Sequence, residues 1–215
     1  LAGPTRKSAR QRVARDRKEF LPAEPLAFID DQHQAVGTDA ASIRPAVNVR
    51  ATTADPSRAA AAICADHNAI LGSNAHCRQA ELRAVGCGES LLADSGRLAD
   101  YVAVAAEKGA AVSVKVRAEV DGVDLLAVAE AIEAAGGDAI HIDAMDAEPV
   151  VGAVADATEL FVIANNEVRD ADSVREYRRL GADAVSVGRP SRDPDGQVLR
   201  RVADAVTQHT LEANQ

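Results

Sequence analysis

The segment Asn74-Ala75-His76-Cys77-Arg78 sets a thiol between an imidazole and a guanidinium, directly after an apolar run at 69–72. A cysteine in that setting is either a proton donor or buried filler. Further along stand Lys115 and Arg117, then His141 and Asp143, then Asn165 and Asn166, and finally Gly188 and Arg189. Amines, imidazoles, carboxylates and amides are the groups that move protons and hold anions. Cys64 and Cys87 fall in helix-like surroundings and read as packing residues. A metal site drawn from His67, His76, Cys77 and Cys87 is the competing use of these ligands, but their spacings match no usual zinc pattern, and no metal is expected.

These residues share a position within a repeating unit. From residue 46 onward a short apolar run is followed by a turn and an Ala-rich amphipathic stretch. The runs lie at 45–50, 69–74, 110–117, 138–145, 160–166 and 183–190, with helical patterns such as 55–67, 124–137 and 170–182 between them. Several of the helical stretches begin at an Asp suited to capping. Strands that alternate with helices are parallel and joined by right-handed crossovers. The six units point to a β/α barrel or a doubly wound sheet, and in both the ligand site lies at the carboxyl ends of the strands. That is where Asn48, Arg50, Asn74 to Cys77, Lys115, Arg117, His141, Asp143, Asn165, Asn166, Gly188 and Arg189 fall.

The first 45 residues carry no strand pattern. Residues 4–20 hold seven of the 24 basic residues and place Ala9, Val13 and Phe20 near one face, the signature of an amphipathic helix; a turn and a second short helix follow. The expected division is a helical segment at 1–45 and β/α units at 46–215.

Composition narrows the function classes. The 215-residue chain suits one α/β domain. A net charge of -9 opposes binding to a phosphate backbone, and no Trp, two Tyr and three Phe leave few platforms for stacked bases. Four lysines against 33 acids suggest a salt-adapted surface, or simply an acidic pI. Three cysteines without a CxxC pair argue for a reducing compartment, and no run suits a membrane span or signal peptide. The expectation is a soluble cytoplasmic protein without membrane contacts.

In their order along the chain, four motifs resemble the flavin-dependent barrel family of the tRNA-dihydrouridine synthases and, more loosely, the dihydroorotate dehydrogenases. They are Asn74-x-x-Cys77 followed by Gly86-Cys87-Gly88-Glu89-Ser90-Leu91-Leu92; Val114-Lys115-Val116-Arg117; Val162-Ile163-Ala164-Asn165-Asn166-Glu167-Val168; and Gly181-Ala182-Asp183-Ala184-Val185-Ser186-Val187-Gly188-Arg189. The resemblance implies a parallel (β/α)8 TIM-type barrel, whose first one or two strands would precede Leu1, with FMN as cofactor. It implies Cys77 as the proton donor to a pyrimidine-like C=C bond and Lys115 as the cation beside the flavin ring. It implies Asn74, Lys115, His141, Asn165, Asn166, Gly188 and Arg189 as the cofactor-binding set. His76 or Arg78 would tune the thiol.

The substrate would be a small heterocycle or a tRNA uridine, with a nicotinamide cofactor as a possible reductant. A barrel that binds a phosphate-bearing ligand without catalysis is the competing reading. Arg78 stands where the family has proline, Asn166 where it has a phosphate-binding glycine, and Asp143 where it has histidine. The chain ends 26 residues after Arg189, without the family's helical tRNA-holding domain, which favours a small substrate.

Overall fold

In a computed structural model, residues 22–37, 43–192 and 194–213 are described. The basic helix expected at 4–20 lies outside them. Six parallel strands form one sheet: β1 (Ala46–Val49), β2 (Ile70–Asn74), β3 (Ala111–Arg117), β4 (Ala139–Asp143), β5 (Phe161–Asn165) and β6 (Ala184–Ser186). Their order in the sheet is their order in the chain. That decides between the two architectures, because a doubly wound sheet reverses its strand order part-way and a barrel does not. The fold is an α/β barrel type with six strands among the described residues.

The helices are α1 (Pro25–Gly37), α2 (Ala54–Asp66), the single turn α3 (Ala80–Arg83), α4 (Ser95–Ala106), α5 (Leu125–Ala134), α6 (Pro149–Ala157), α7 (Ala171–Arg179) and α8 (Gln197–Ala213). One-directional, right-handed crossovers put the connecting helices on the same face of the sheet. Burial along the strands shows the result. Val112, Val114, Val116, Ile140, Ile142, Val162 and Ala164 are buried, and they alternate with the less buried Ser113, Lys115, His141, Asp143, Ile163 and Asn165. The first set joins Leu98, Val102, Val128, Ile132, Val151 and Val154 of the helices in one core. The second set faces what would be the barrel interior, where a cavity of about 510 Å³ opens among Ala46, Asn48, Gly72, Lys115, His141 and Phe161.

Two sequence-based boundaries shift. The last apolar run gives a strand of only three residues, and Arg189 instead begins a 3-10 turn, Arg189–Arg192. The helix-like surroundings of Cys87 are broken into α3, a 3-10 turn (Gly88–Leu91) and α4. Gly86 and Gly88 adopt positive φ, 80° and 63°, which stops helix propagation. Asp94 then restarts it, its side chain accepting from the Arg97 N–H.

Candidate active site

The loop after β2 is held by one residue. Asn74 Oδ1 accepts from the backbone N–H of both His76 and Cys77, each at 3.1 Å, while Asn74 Nδ2 donates to Asn48 Oδ1 at 2.9 Å. Asn74 is 6% exposed, so its carboxamide is committed to shaping this loop. From the other side Glu89 N–H donates to the Cys77 carbonyl at 3.0 Å, and Gly88 makes that approach possible: a Cβ there would lie 2.4 Å from the same oxygen.

So fixed, Cys77 meets groups from two other strands. Arg50, buried at the end of β1, donates through Nη1 to the Cys77 sulfur at 3.5 Å. His76, the residue before Cys77 in the same loop, lies through Nε2 2.5 Å from Asp143 Oδ2 at the end of β4. Burial pushes the Cys77 thiol up, but the His76 hydrogen bond and the Arg50 charge together outweigh it and bring the thiol below its ordinary value. The hydrogen bond to Asp143 holds the His76 imidazole above its usual range, supported by Cys77 and opposed by burial and by Lys115. For Asp143, burial is outweighed by His76, Lys115 and Arg117, and its carboxyl lies below the usual carboxylate range.

The neighbouring thiol behaves differently. Cys87 is fully buried, donates to the Ala51 carbonyl at 3.2 Å, and is pushed up to about 11 by burial. Arg78, one of the two residues expected to tune Cys77, is exposed. Arg50 takes that part, and its only signal in the sequence was its position at a strand end. Asp143 was visible as a strand-end carboxylate standing where the resembled family has histidine.

Six residues of the expected cofactor set divide between two cavities, while the seventh, Asn74, lines neither and instead holds the Cys77 loop. Asn165, Asn166, Gly188 and Arg189 line one of about 600 Å³, together with His76, Asp143, Ser186 and Arg169. Lys115 and His141 are neighbours in register on β3 and β4 and line the 510 Å³ cavity instead. Burial lowers the Lys115 amine, with Asp143 and Cys77 opposing. Burial, then the charges of Lys115 and His76, push His141 down to about 3, so it stands neutral.

The first cavity has the character of an anion site. Asn166 adopts φ 111° and Glu167 φ 50°, so this chain builds a turn of positive φ, the conformation that favours glycine, from two non-glycine residues. Tyr177 Oη donates to the Asn166 carbonyl at 3.1 Å and pins the turn. A Cβ built on Gly188 meets nothing closer than Asn165 Oδ1 at 4.0 Å, which leaves room for a ligand to approach the backbone there. Of the two acids that line it, Asp143 is bonded to His76 and Glu167 is paired with Arg169 at 2.8 Å. Amides, a glycine, a serine and an exposed arginine fit a phosphate group. Among the described residues no three His, Cys, Asp or Glu side chains gather as a metal site, and no helix is long and apolar enough to cross a membrane.

Neither models of known protein families nor curated proteins match the sequence. Solved structures do match in fold. The DHODH of Eimeria tenella, solved in complex with ferulenol, superimposes with a TM-score of 0.71 at 15% identity over 90% of this chain. The present chain spans 66% of the length of that protein. FabK from Thermotoga maritima gives 0.51 at 19% identity, covering 74% of this chain and 46% of its own. A 2,3-dimethylmalate lyase of the PEP mutase/isocitrate lyase superfamily gives 0.55 at 10% identity, covering 88% and 78%. At such identities the likeness shows the fold, a barrel type used by enzymes of several chemistries.

Proposed function

We propose that this chain carries an FMN-dependent oxidoreductase site related to the dihydrouridine synthases, acting on a C=C bond of a pyrimidine-like heterocycle with Cys77 as proton donor. The observation that carries this reading is one cavity shared by the phosphate-type residues and by the His76–Asp143 pair that abuts Cys77. Asn165, Asn166, Gly188 and Arg189 would hold the cofactor phosphate, and Lys115 would supply the cation near the ring. FMN, when bound, supplies the hydride donor or acceptor for one carbon of the substrate bond.

The residues of the chain do the rest. Cys77 gives its proton to the second carbon, and Arg50 stabilises the sulfur charge left behind. Asn74 keeps the sulfur in place by holding both loop amides. The neutral, half-buried His141 offers a polar but uncharged wall beside Lys115.

The test is binding. Arg189→Ala should weaken FMN affinity by about 1.5–3 kcal/mol, roughly 10- to 150-fold, as expected when a charge-assisted hydrogen bond to phosphate is lost. Quenching of flavin fluorescence measures it. An affinity unchanged by the substitution removes the phosphate assignment, and no FMN binding by the parent protein removes the proposed reaction.

A further inference from the structure

We propose that Arg117 and Glu89 form one positioning unit for Cys77, a buried ion pair that fixes the place of the thiol and balances the charge beside it. The inference rests on the reading of Cys77 as proton donor. Its basis is a run of hydrogen bonds. Glu89 holds Cys77 through its backbone, the N–H donating to the Cys77 carbonyl at 3.0 Å. Glu89 is itself held through its side chain, the carboxylate accepting from Arg117 Nη1 at 3.4 Å. The second arm of the guanidinium, Nη2, donates to Met145 Sδ at 2.7 Å. Arg117 thus ties the 3-10 turn that holds Cys77 to the loop after β4.

The place of Arg117 in the sheet is unusual for its type. It follows the alternation of Ser113 and Lys115 along β3, but those two are half-buried and the Arg117 side chain is only 6% exposed. In register it stands beside Asp143, whose carbonyl accepts from Ala118 N–H at 2.9 Å. A buried guanidinium is costly unless it is paired, and packing alone would be served as well by an apolar side chain. What the pair adds is a fixed charge on each side of a group that must turn negative when it gives up its proton.

Arg83 also lies 3.6 Å from the Glu89 carboxylate, but its side chain is 55% exposed against 13% for Glu89. Water and salt screen that contact, so Arg117 is the partner that governs Glu89. The other charged groups at this rim have their own places. Arg50 from β1 donates to the sulfur, and His76 is bonded to Asp143 of β4. Lys115 from β3 and Cys87 from the segment after α3 act on the thiol through charge, and His141 stands neutral on β4.

The experiment follows the alkylation of Cys77 by iodoacetamide against pH in flavin-free protein, read by peptide mass spectrometry. The parent is compared with Arg117→Met, Glu89→Gln, the double variant and Arg117→Lys. Asp124→Ala, whose carboxylate caps α5 and is bonded to neither residue, controls for lost stability alone. Arg117→Met leaves the Glu89 carboxylate near the thiol. It should raise the alkylation midpoint by about half a pH unit, making the rate at pH 7 about threefold lower. Glu89→Gln leaves the guanidinium and should lower the midpoint by a similar amount. The double variant should return toward the parent, and Arg117→Lys, which keeps the charge, should recover most of the difference. Such non-additivity marks two groups that act through each other.

Midpoints that move in the same direction in both single variants overturn the proposal, as do midpoints that stay at the parent value or move as far in Asp124→Ala. If Arg117→Met does not fold, Glu89→Gln and the double variant decide. A midpoint lowered in the first and restored in the second supports the pair, and equal midpoints refute it. A separate FMN titration of the parent distinguishes this proposal from the reading it rests on. FMN binding with unmoved midpoints leaves the proposed reaction standing and refutes the positioning pair. The predicted midpoints in a protein that binds no FMN support the pair and refute the reaction.

Discussion

At the scale of single residues, chemistry here is assigned by surroundings rather than by residue type. Cys64 and Cys87 are fully buried and both pushed up to about 11, whereas Cys77, between Arg50 and His76, is drawn down. Cys77→Ala should therefore retain FMN binding and lose about 10²- to 10⁴-fold in substrate turnover, while Cys87→Ala loses only packing. Equal turnover in Cys77→Ala and the parent would return Cys77 to the core.

A second prediction concerns pH. His141, at about 3 in the folded state against an ordinary 6.5, is neutral where the unfolded chain would be protonated. Its contribution to stability is complete above about pH 6.5 and is lost as the pH falls toward 3, at roughly 1.4 kcal/mol per pH unit. His76 works with the opposite sign: its raised value gives stability that is present below pH 6.5 and lost as the pH rises through its folded value. Urea midpoints between pH 7 and 4 should fall more steeply in the parent than in His141→Gln; equal slopes would refute the assignment.

At the scale of elements, Gly88 and Asn166 shape the loops that carry these side chains. Gly88 has φ 63° and would place a Cβ against the Cys77 carbonyl, so Gly88→Ala combines backbone strain with a clash. It should destabilise the fold by about 1–3 kcal/mol and shift the alkylation profile of Cys77. Asn166 already tolerates φ 111°, and Asn166→Gly should be neutral or stabilising by up to about 1 kcal/mol without loss of phosphate affinity. Asp124 caps α5 by accepting from Leu126 and Ala127 N–H, and Asp124→Ala should cost about 1 kcal/mol in thermal unfolding while leaving the site intact.

At the scale of the whole molecule, the six strands of the described residues stand in sequential order, with β1 and β6 at the two ends of the sheet, and a cavity of about 510 Å³ lies on the face that carries Lys115. The net charge of -9 bears on partners. A tRNA substrate would need the basic residues Arg10, Arg12 and Arg15 to outweigh that field, so binding of tRNA at about 0.15 M salt should be weak. A tight complex whose affinity falls steeply with salt and disappears when those three arginines are replaced would shift the substrate from a small heterocycle to RNA.

The repeating unit and the class of fold were legible in the sequence because parallel strands buried under helices read as apolar runs and the crossovers between them as amphipathic stretches. Such patterns are local. The crowding of polar residues at strand ends was legible for the same reason, since each strand ends where its own apolar run ends. What could not be read was which of those ends meet. The partners of the Cys77 loop lie far away in the chain: Arg50 is 27 residues before Cys77, and Asp143 is 67 residues after His76. Their meeting depends on strand register, which pairs Asn74 with Lys115 and Arg117 with Asp143. Alternation along the strands likewise sent Lys115 and His141 to the inner cavity, while the turns after β5 and β6 formed the other. Composition and periodicity determine which residues reach the rim. Only the tertiary structure, through the register of the six strands, decides which of them come within a hydrogen-bond length of one another, the distance that a polar interaction requires.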